Sequence, residues 1–373
     1  MIIRDIEYIP IKVPRAGKWR SALGAHSYGD AAIVILYSDN DAYGIGEVSS
    51  IWDSFASGLV NGMGQKLKDA IIGMDVYNII EMHKKMDAAI AWSLSGNCIK
   101  AGIEMAAYDL IGKIKDMPVY NILGGKNREK IQVSRSIGMG TIEERFEQVS
   151  YFVEKGYKTV KLKAGLDMGN DLKVIEAVRK EYGSDISIRV DANMSWKEPK
   201  SVLKLIDKLY GLGVISIEQP LSPDNIEGLA FLREHSKLPI MVDESLWNPI
   251  DAFKIIKAQA ADIMNVYVSE SGGLYNAMMI ANMCDISGVG VCIGSMPELG
   301  VGTAAALHLG IAAPQINHPS DVIGNTYFQD DIIEEILPFK DGYAYSIDRP
   351  GLGVTLNWNK INKYRSDKEK EGK

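Results

Sequence analysis

The strongest constraint on the fold is a run of short apolar segments that recur at nearly constant spacing between residues 161 and 267. The segments TVKLKAG, ISIRVDAN, VISIEQPL, PIMVDES and ADIMNVYVSESGG are rich in Val, Ile and Leu, which is typical of buried strands. They end near Lys163, Asp191, Glu218, Asp243 and Tyr267, at intervals of 28, 27, 25 and 24 residues. Stretches of helical periodicity lie between them. This repeat predicts a parallel (β/α) barrel, in which the C-terminal ends of all strands meet at one mouth.

Three acidic residues end consecutive predicted strands. Asp191, Glu218 and Asp243 should therefore crowd together at the mouth of the barrel. Like charges at such close range repel and raise one another's pKa unless a cation joins them. A hard divalent ion suits these oxygen ligands, and Mg²⁺, completed by water and substrate, fits best. A single Asp or Glu is most often an ordinary loop carboxylate, but three in phase at strand ends predict a metal site.

Two lysines, Lys161 and Lys163, end the strand that precedes the first acidic residue. As residues i and i+2 of one strand they point to the same face, here the barrel interior. Interior lysine is rare unless it has a function. Each cation disfavours protonation of the other, so we expect a lowered pKa and a role for Lys163 as a base. The alternative is that one of the two only forms a salt bridge with a carboxylate.

Taken in order, these motifs resemble those of the enolase superfamily. KLK, VDAN, IEQP, VDES and ADIMNVYVSESGG are followed by CIGSMPELGVGTAAALHLG. The match is to the mandelate racemase and muconate lactonizing enzyme group, on its muconate-like branch because Glu244 follows Asp243. The resemblance implies an α/β fold, a (β/α)7β modified TIM barrel with an N-terminal α+β capping domain. It also implies Mg²⁺ on Asp191, Glu218 and Asp243, and removal of a proton α to a substrate carboxylate to give an ene-diolate, as in this superfamily generally.

One position departs from the family pattern. The muconate-like branch normally has a second Lys where this chain has Tyr267, and the racemase branch has a His on the seventh strand, where this chain has Gly294, Ser295 and Met296. A tyrosine with an ordinary pKa of about 10 can donate a proton but is a poor base. The departure disfavours a two-base racemase and favours chemistry with one base and one acid. The sequence leaves an alternative equally open, in which Tyr267 has no catalytic role, packs in the core and bonds a metal-ligand carboxylate through its hydroxyl.

These residues are compatible with three functions. The hydroxyl-rich loops and the Lys/Tyr pair favour a hydro-lyase, which dehydrates an aldonic (sugar) acid to a 2-keto-3-deoxy acid. The alternative within the superfamily is a racemase, epimerase or cycloisomerase that acts on a dipeptide, an amino acid or a lactone. The third reading is a non-catalytic metal-binding barrel, against which the intact Lys161, Lys163 and acidic triad argue.

The chain divides into a capping domain and a barrel. Residues 1–125 are expected to form the capping domain, completed by about residues 340–360, with the barrel at 126–339 and a charged tail at 362–373. By the resemblance, the loops RAGKWRSALGAHSYGD and EVSSIWDS close over the mouth, where Lys18, Trp19, Arg20, His26, Tyr28 and Trp52 are candidates for substrate contact. The barrel candidates for substrate binding are Ser136, Asn193, Ser295 and Glu298. The helix start SESGGL offers amides for a carboxylate or other anion.

The composition indicates which classes of partner the protein is expected to bind. The net charge of −7 argues against nucleic acid, which would require a basic patch. Cys98, Cys284 and Cys292 form no C-x-x-C motif, which favours a reducing cytoplasm. No signal peptide or apolar run of transmembrane length is apparent, so no membrane association is expected. We expect a small-molecule carboxylate substrate and a homo-oligomer, from dimer to octamer.

Overall fold

The N-terminal part of the chain combines an antiparallel sheet with helices. The structure is a computed structural model that describes residues 1–17, 20–21, 24–51, 55–90 and 93–367. The strands in this part are β1 (Ile3–Pro14), β2 (Arg20–Ser21), β3 (Gly24–Ala25), β4 (Tyr28–Ser38) and β5 (Tyr43–Ser49). The helices are α1 (Ala56–Ile71), α2 (Ile79–Ala89), α3 (Gly96–Ile114) and α4 (Val119–Ile122). The strands β1, β4 and β5 form a three-stranded antiparallel sheet, against which α3 packs.

The second part alternates strands and helices. After β6 (Lys130–Gln132) come β7 (Ser134–Ile137), α5 (Ile142–Glu154), β8 (Thr159–Lys163), α6 (Met168–Tyr182), β9 (Ser187–Asp191), α7 (Pro199–Gly211), β10 (Val214–Glu218) and α8 (Ile226–His235). They are followed by β11 (Ile240–Val242), α9 (Pro249–Lys257), β12 (Ile263–Val266), α10 (Leu274–Ser287), β13 (Gly290–Ile293) and α11 (Gly300–Ala312). A 3-10 helix (Gly324–Tyr327), the hairpin β14 (Phe339–Lys340) and β15 (Tyr343–Tyr345), and α12 (Trp358–Tyr364) end the described chain.

The parallel sheet follows the order of the chain. Its seven strands run from β7 to β13 with consecutive neighbours paired in parallel. The (β/α)7β barrel implied by the resemblance has an eighth strand, which here is reduced to the residues around Ser320, and Ser320 pairs with Val133 in a single parallel bridge. On the other side, the Asp321 amide donates to the Ile293 carbonyl at 2.7 Å. Residues 320 and 321 therefore connect β13 to the start of β7 and bring the strand ends around one mouth.

Two carboxylates of the N-terminal part hold it against the barrel helices. Glu47 on β5 accepts hydrogen bonds from the amides of Leu299 and Gly302, both at 2.7 Å, at the N-terminus of α11. Glu104 on α3 accepts from the amides of Leu274 and Tyr275, at 2.6 and 2.9 Å, at the N-terminus of α10. The first amides of a helix have no partner within the helix, so the side-chain oxygens of Glu47 and Glu104 stabilise these helix ends by accepting their hydrogen bonds.

A glycine makes the contact with Glu104 possible. Gly273 immediately precedes α10 and has a φ of +135°, a conformation that side-chain-bearing residues rarely adopt. A Cβ at this position would lie 2.4 Å from the carboxyl carbon of Glu104. The SESGGL segment therefore does have the anion-binding amides that its sequence predicts, but the anion is a side chain of the same protein.

The predicted fold class, an α/β barrel of this type with an N-terminal cap, is confirmed by a solved structure that shares it and is described below. The domain boundaries at 125 and 339 stay a prediction. The helix α12 extends to Tyr364 and so overlaps the start of the expected tail at residue 362, because the side chain of its N-cap Asn357 and the buried Ile361 anchor it. Residues 368–373 lie outside the described part of the chain.

Candidate active site

Three carboxylates converge where β9, β10 and β11 end. Asp191 and Glu218 are the last residues of β9 and β10, and Asp243 directly follows β11. One oxygen of each lies within 4.8 Å of the other two, and all three side chains are buried. The regular strand spacing seen in the sequence thus brings together an acidic cluster, as predicted.

The acidic cluster has the properties of a binding site for a hard cation. The Oδ1 atom of Asp243 is buried without a hydrogen-bond partner among the described residues. Burial, and then the nearby Glu244 and Glu218, raise the pKa of Asp243 well above its ordinary value. An unpaired buried oxygen amid several carboxylates is costly, and a divalent ion bound by oxygen would compensate it. The residues present therefore fit the predicted metal, whose identity as Mg²⁺ stays a prediction.

Lys161 is a paired cation. Its Nζ lies 2.7 Å from Asp321 Oδ2, 3.1 Å from Glu218 Oε1 and 3.6 Å from Asp191 Oδ2. Burial favours the neutral amine, but the charges of these carboxylates outweigh it and hold the pKa of Lys161 well above the ordinary value. The expectation that the two lysines lower each other's pKa is wrong for Lys161, because the sequence did not reveal how many carboxylates surround it.

Arg189, on β9, forms ion pairs with two of the carboxylates that Lys161 contacts, Glu218 and Asp321. It is fully buried, and its Nη2 donates to Glu218 Oε2 at 2.7 Å. Burial alone would raise the pKa of Glu218, but Lys161 and Arg189 outweigh that effect and bring it to about 2. Glu218 is therefore ionised at any pH near neutrality and available as a ligand.

Lys163 and Tyr267 stand on strands four positions apart in the sheet, across the cavity from each other. The Nζ of Lys163 lies 2.5 Å from Asp191 Oδ2. The Tyr267 hydroxyl donates to Asp243 Oδ2 at 3.1 Å. Burial, and then the charge of Asp243, raise the pKa of Tyr267 well above 10. Tyr267 therefore keeps its proton, and only one of the two facing groups is an amine.

Four of the predicted substrate-binding residues line one of two cavities, and Glu298 contacts one of these four. Ser136, Asn193 and Ser295 line the cavity that also contains Lys163 and Tyr267. Glu298 accepts the Ser295 hydroxyl at 2.5 Å, and burial raises its pKa. Tyr28 lines a neighbouring cavity, and 57% of its surface is exposed. Lys18, Trp19 and Trp52 lie outside the described residues.

Asn193 and Ser136 also have defined polar contacts. The Asn193 side chain donates to Glu244 Oε1 at 3.0 Å, and its backbone amide donates to Asp191 Oδ1 at 3.0 Å. Asn193 therefore orients one member of the acidic cluster, Asp191, and the adjacent Glu244. The Ser136 amide donates to the Tyr327 hydroxyl at 3.0 Å, while the Ser136 Oγ is buried and has no partner among the described residues. The free hydroxyl makes Ser136 the better placed of the two to meet a substrate oxygen.

Asp321 and Tyr327 line the same cavity and were missed from the sequence. Both belong to the irregular segment after the single bridge at Ser320. The strand periodicity that revealed the acidic triad is lost there. One signal in the sequence could have found Asp321. An eighth barrel strand should also end at the mouth, and Asp321 follows the segment that would form this strand.

Family models match both parts of the chain. Residues 144–360 match the model described as "Enolase C-terminal domain-like". Residues 8–124 match "Mandelate racemase / muconate lactonizing enzyme, N-terminal domain". Together the two matches span the cap and the barrel.

Individual relatives are similar over most of their length. An N-succinyl-L-Arg/Lys racemase of Bacillus cereus is 31% identical over 364 residues, 96% of each chain. A hydrophobic dipeptide epimerase of Enterococcus faecalis is 32% identical over 85% of this chain and 89% of its own. A solved muconate lactonizing enzyme from Pseudomonas fluorescens superimposes with a TM-score of 0.93 at 26% identity, covering 98% of this chain and 99% of that one.

These names correct the expected reaction class. Racemases, epimerases and lactonizing enzymes of this kind are isomerases, and no dehydratase is among the relatives described here. The expectation of a hydro-lyase acting on a sugar acid is therefore wrong. It rested on hydroxyl-rich loops, which any polar substrate would also require, and on the Lys163 and Tyr267 pair, which one-base isomerisation accommodates equally well. The chain belongs to the enolase superfamily, in its mandelate racemase and muconate lactonizing enzyme group.

Proposed function

We propose that the protein is an isomerase in which Lys163 transfers a proton at the carbon next to a substrate carboxylate. The Nζ of Lys163 lies in the cavity, 2.5 Å from Asp191 Oδ2, whereas Lys161 contacts three carboxylates. The strongly held charge of Lys161 suits it to neutralise the substrate carboxylate as the proton leaves. Asp191, Glu218 and Asp243 would hold Mg²⁺, which when bound polarises the substrate carboxylate.

The observation that carries the proposal is the asymmetry between Lys163 and Tyr267. Inversion at a carbon by two bases needs a group on each face that can both give and take a proton. With a pKa raised well above 10, Tyr267 does not take one. A cycloisomerase-type reaction closes or opens a ring and needs one amine on one face. We infer that this one-base chemistry is the reaction the site supports best.

Epimerisation of an amino acid derivative is the second candidate. Its support is the racemase and epimerase names of relatives at 31% and 32% identity. Such a reaction would require Tyr267 to act as the proton donor on the second face, with Asn265 Nδ2 at 3.4 Å and Asp243 Oδ2 at 3.1 Å as its nearest polar contacts. A small-molecule carboxylate is the substrate class in both cases. The homo-oligomeric state stays a prediction.

The test is a reaction in D₂O with Mg²⁺ and two substrate panels. One panel contains unsaturated dicarboxylates and their lactones, and the other contains N-acyl amino acids and dipeptides. One-base isomerisation predicts a product that carries deuterium on one face only. NMR measures the position of the deuterium. Conversion of one enantiomer or diastereomer to the other, with deuterium in the product, would favour epimerisation instead.

The base is tested by Lys163→Ala. We expect turnover to fall by at least about 10³-fold, because a positioned base typically contributes a factor of 10²–10⁴, while Mg²⁺ binding measured by calorimetry persists. Lys158→Ala is the matched control, since Lys158 precedes the same strand and is exposed. A Lys163→Ala rate equal to that of the wild type would refute the assignment.

A further inference from the structure

Arg135 differs from the other buried arginines of the barrel. Arg145 lies 2.6 Å from Asp171, and Arg189 lies 2.7 Å from Glu218. Arg135, on β7, is only 7% exposed, yet no carboxylate among the described residues forms an ion pair with it. Its Nη1 donates to Thr326 Oγ1 at 2.5 Å, and its Nε has no acceptor. A buried guanidinium with this surrounding lacks a counter-ion.

Two aromatic rings compensate part of this cost. The Arg135 Cζ lies 4.2 Å from the ring centre of Phe152 and 4.0 Å from that of Tyr327. A cation over a ring is stabilised by about 0.5–2 kcal/mol. The penalty for taking an ion out of water is several kcal/mol. The sandwich therefore orients the guanidinium but leaves it suited to an external anion.

Arg135 forms the inner wall of a cavity of about 450 Å³ on the outside of the barrel, between α5 and the hairpin of β14 and β15. This volume lies in the range of about 300–1,000 Å³ that is usual for small-molecule sites. Lys155 and Lys340 are exposed at its rim, and Asp341 is the acidic residue of the lining. Three basic side chains and one acidic side chain give the cavity a net charge of +2.

The remaining wall is aromatic. The rings of Tyr151, Phe152, Tyr157, Phe339 and Tyr343 line the cavity. Flat aromatic faces stack favourably on planar rings. Arg135 and the catalytic cavity lie on opposite faces of β7, because side chains alternate along a strand and Ser136 is the residue that faces the barrel interior. This cavity is thus separate from the catalytic one.

We propose that this cavity binds an organic phosphate monoester that carries a planar ring. A phosphate monoester has a charge of about −1.5 to −2 at neutral pH, which matches the net charge of the lining. Arginine binds phosphate through paired N–H donors. The phosphate contacts Arg135, with Lys155 and Lys340 closing over it, and the ring stacks on the aromatic wall. The linings of this cavity and of the catalytic one share no residue, although Tyr327, which stacks on Arg135, lines the catalytic cavity.

The test is isothermal titration calorimetry with adenosine monophosphate as the probe. We expect one site per chain, with adenosine and with inorganic phosphate each binding at least tenfold more weakly, because each lacks one half of the contacts. Arg135→Met should weaken binding of adenosine monophosphate at least tenfold, with the thermal midpoint measured in parallel. Binding should also weaken as salt is added.

Exposed residues provide a variant that does not disturb the buried wall. The double variant Lys155→Ala and Lys340→Ala should weaken adenosine monophosphate at least fivefold, whereas Lys204→Ala, an exposed lysine on α7, should leave it unchanged. The proposal is overturned if the wild type does not bind the probe at millimolar concentration, or if the double variant binds it as the wild type does. Equal affinity for inorganic phosphate would overturn the ligand class. Loss of binding in Lys163→Ala would place the probe in the catalytic cavity and equally overturn the proposal.

Discussion

Replacing Glu47 by glutamine tests how the cap is held on the barrel. Both side-chain oxygens of Glu47 accept a backbone amide of the α11 N-terminus, and Oε1 also accepts the Ser49 hydroxyl at 2.7 Å. The amide nitrogen of glutamine cannot accept, so at least one buried donor loses its partner. A stranded buried donor costs about 1–3 kcal/mol. On hydrogen bonding alone, Glu47→Gln is therefore less stable than the wild type by that amount.

The charge of Glu47 works in the opposite direction as the pH rises. Burial raises its pKa from 4.5 to about 8, although the amides and Ser49 oppose the shift. The unfolded chain therefore releases this proton near pH 4.5 while the folded protein retains it until about pH 8. The wild type has its full stability from this group below pH 4.5 and loses on the order of 5 kcal/mol by pH 8. Glu47→Gln has no such dependence.

Combining the two effects predicts that the order of stability reverses. The wild type should unfold at the higher temperature at pH 5, and Glu47→Gln at the higher temperature at pH 8. The midpoints should cross between about pH 5 and 7, since 1–3 kcal/mol corresponds to about one to two pH units. Thermal unfolding at pH 5, 6, 7 and 8 measures the crossing. Glu176→Gln, which removes an exposed carboxylate of α6, is the control and should run parallel to the wild type.

A wild type that becomes more stable than Glu47→Gln as the pH rises would refute this reasoning. It would mean that the two helix amides and the helix dipole hold Glu47 ionised despite its burial. A difference independent of pH would mean that the carboxyl group titrates alike in the folded and unfolded protein. Either result would leave the hydrogen bonds of Glu47 in place but remove the proposed cost of its charge.

Three further predictions concern Tyr267, Asp243 and His308. Tyr267→Phe should retain the isomerisation rate within about threefold in a kinetic assay, and a fall of 10²-fold or more would make the hydroxyl a proton donor. Mg²⁺ should raise the thermal midpoint of the wild type but not of Asp243→Asn, and equal shifts would exclude Asp243 as a ligand. Burial lowers the pKa of His308 to about 4 from 6.5, so the wild type should lose about 3 kcal/mol of stability as the pH falls from 6.5 to 4, and His308→Gln should not.

The acidic triad was predictable because its positions depend only on local order. Each of the three residues ends a strand, and parallel strands of similar length place their ends at one level. The same argument placed Lys161 and Lys163 inside the barrel, where both are buried. Strand periodicity therefore carried the prediction of which side chains meet, and it needed no knowledge of distant contacts.

The chemistry of these groups depended on partners that periodicity does not reveal. Lys161 remains a cation largely because of Asp321, 160 residues further along the chain, in a segment with a single bridge in place of a strand. The amides of the SESGGL segment are bonded to Glu104, 170 residues earlier. Such contacts arise when two separately formed units pack together, and neither segment has a local pattern that identifies the other.

For the proposed isomerase, the attachment of the cap also separates substrate selection from proton transfer. Glu47 and Glu104 bind the helices that follow β13 and β12, on the Tyr267 side of the cavity, whereas Lys163 lies on β8 and the acidic triad at the ends of β9 to β11. A change in the cap therefore acts first on the wall that contains Tyr267 and Ser295, and it reaches Asp243 through the hydrogen bond from Tyr267. Lys163, Asp191 and Glu218 have ion pairs of their own on β8, β9 and β10. In the proposed isomerase, such an arrangement lets the cap alter which acid is accepted while Lys163 keeps its position.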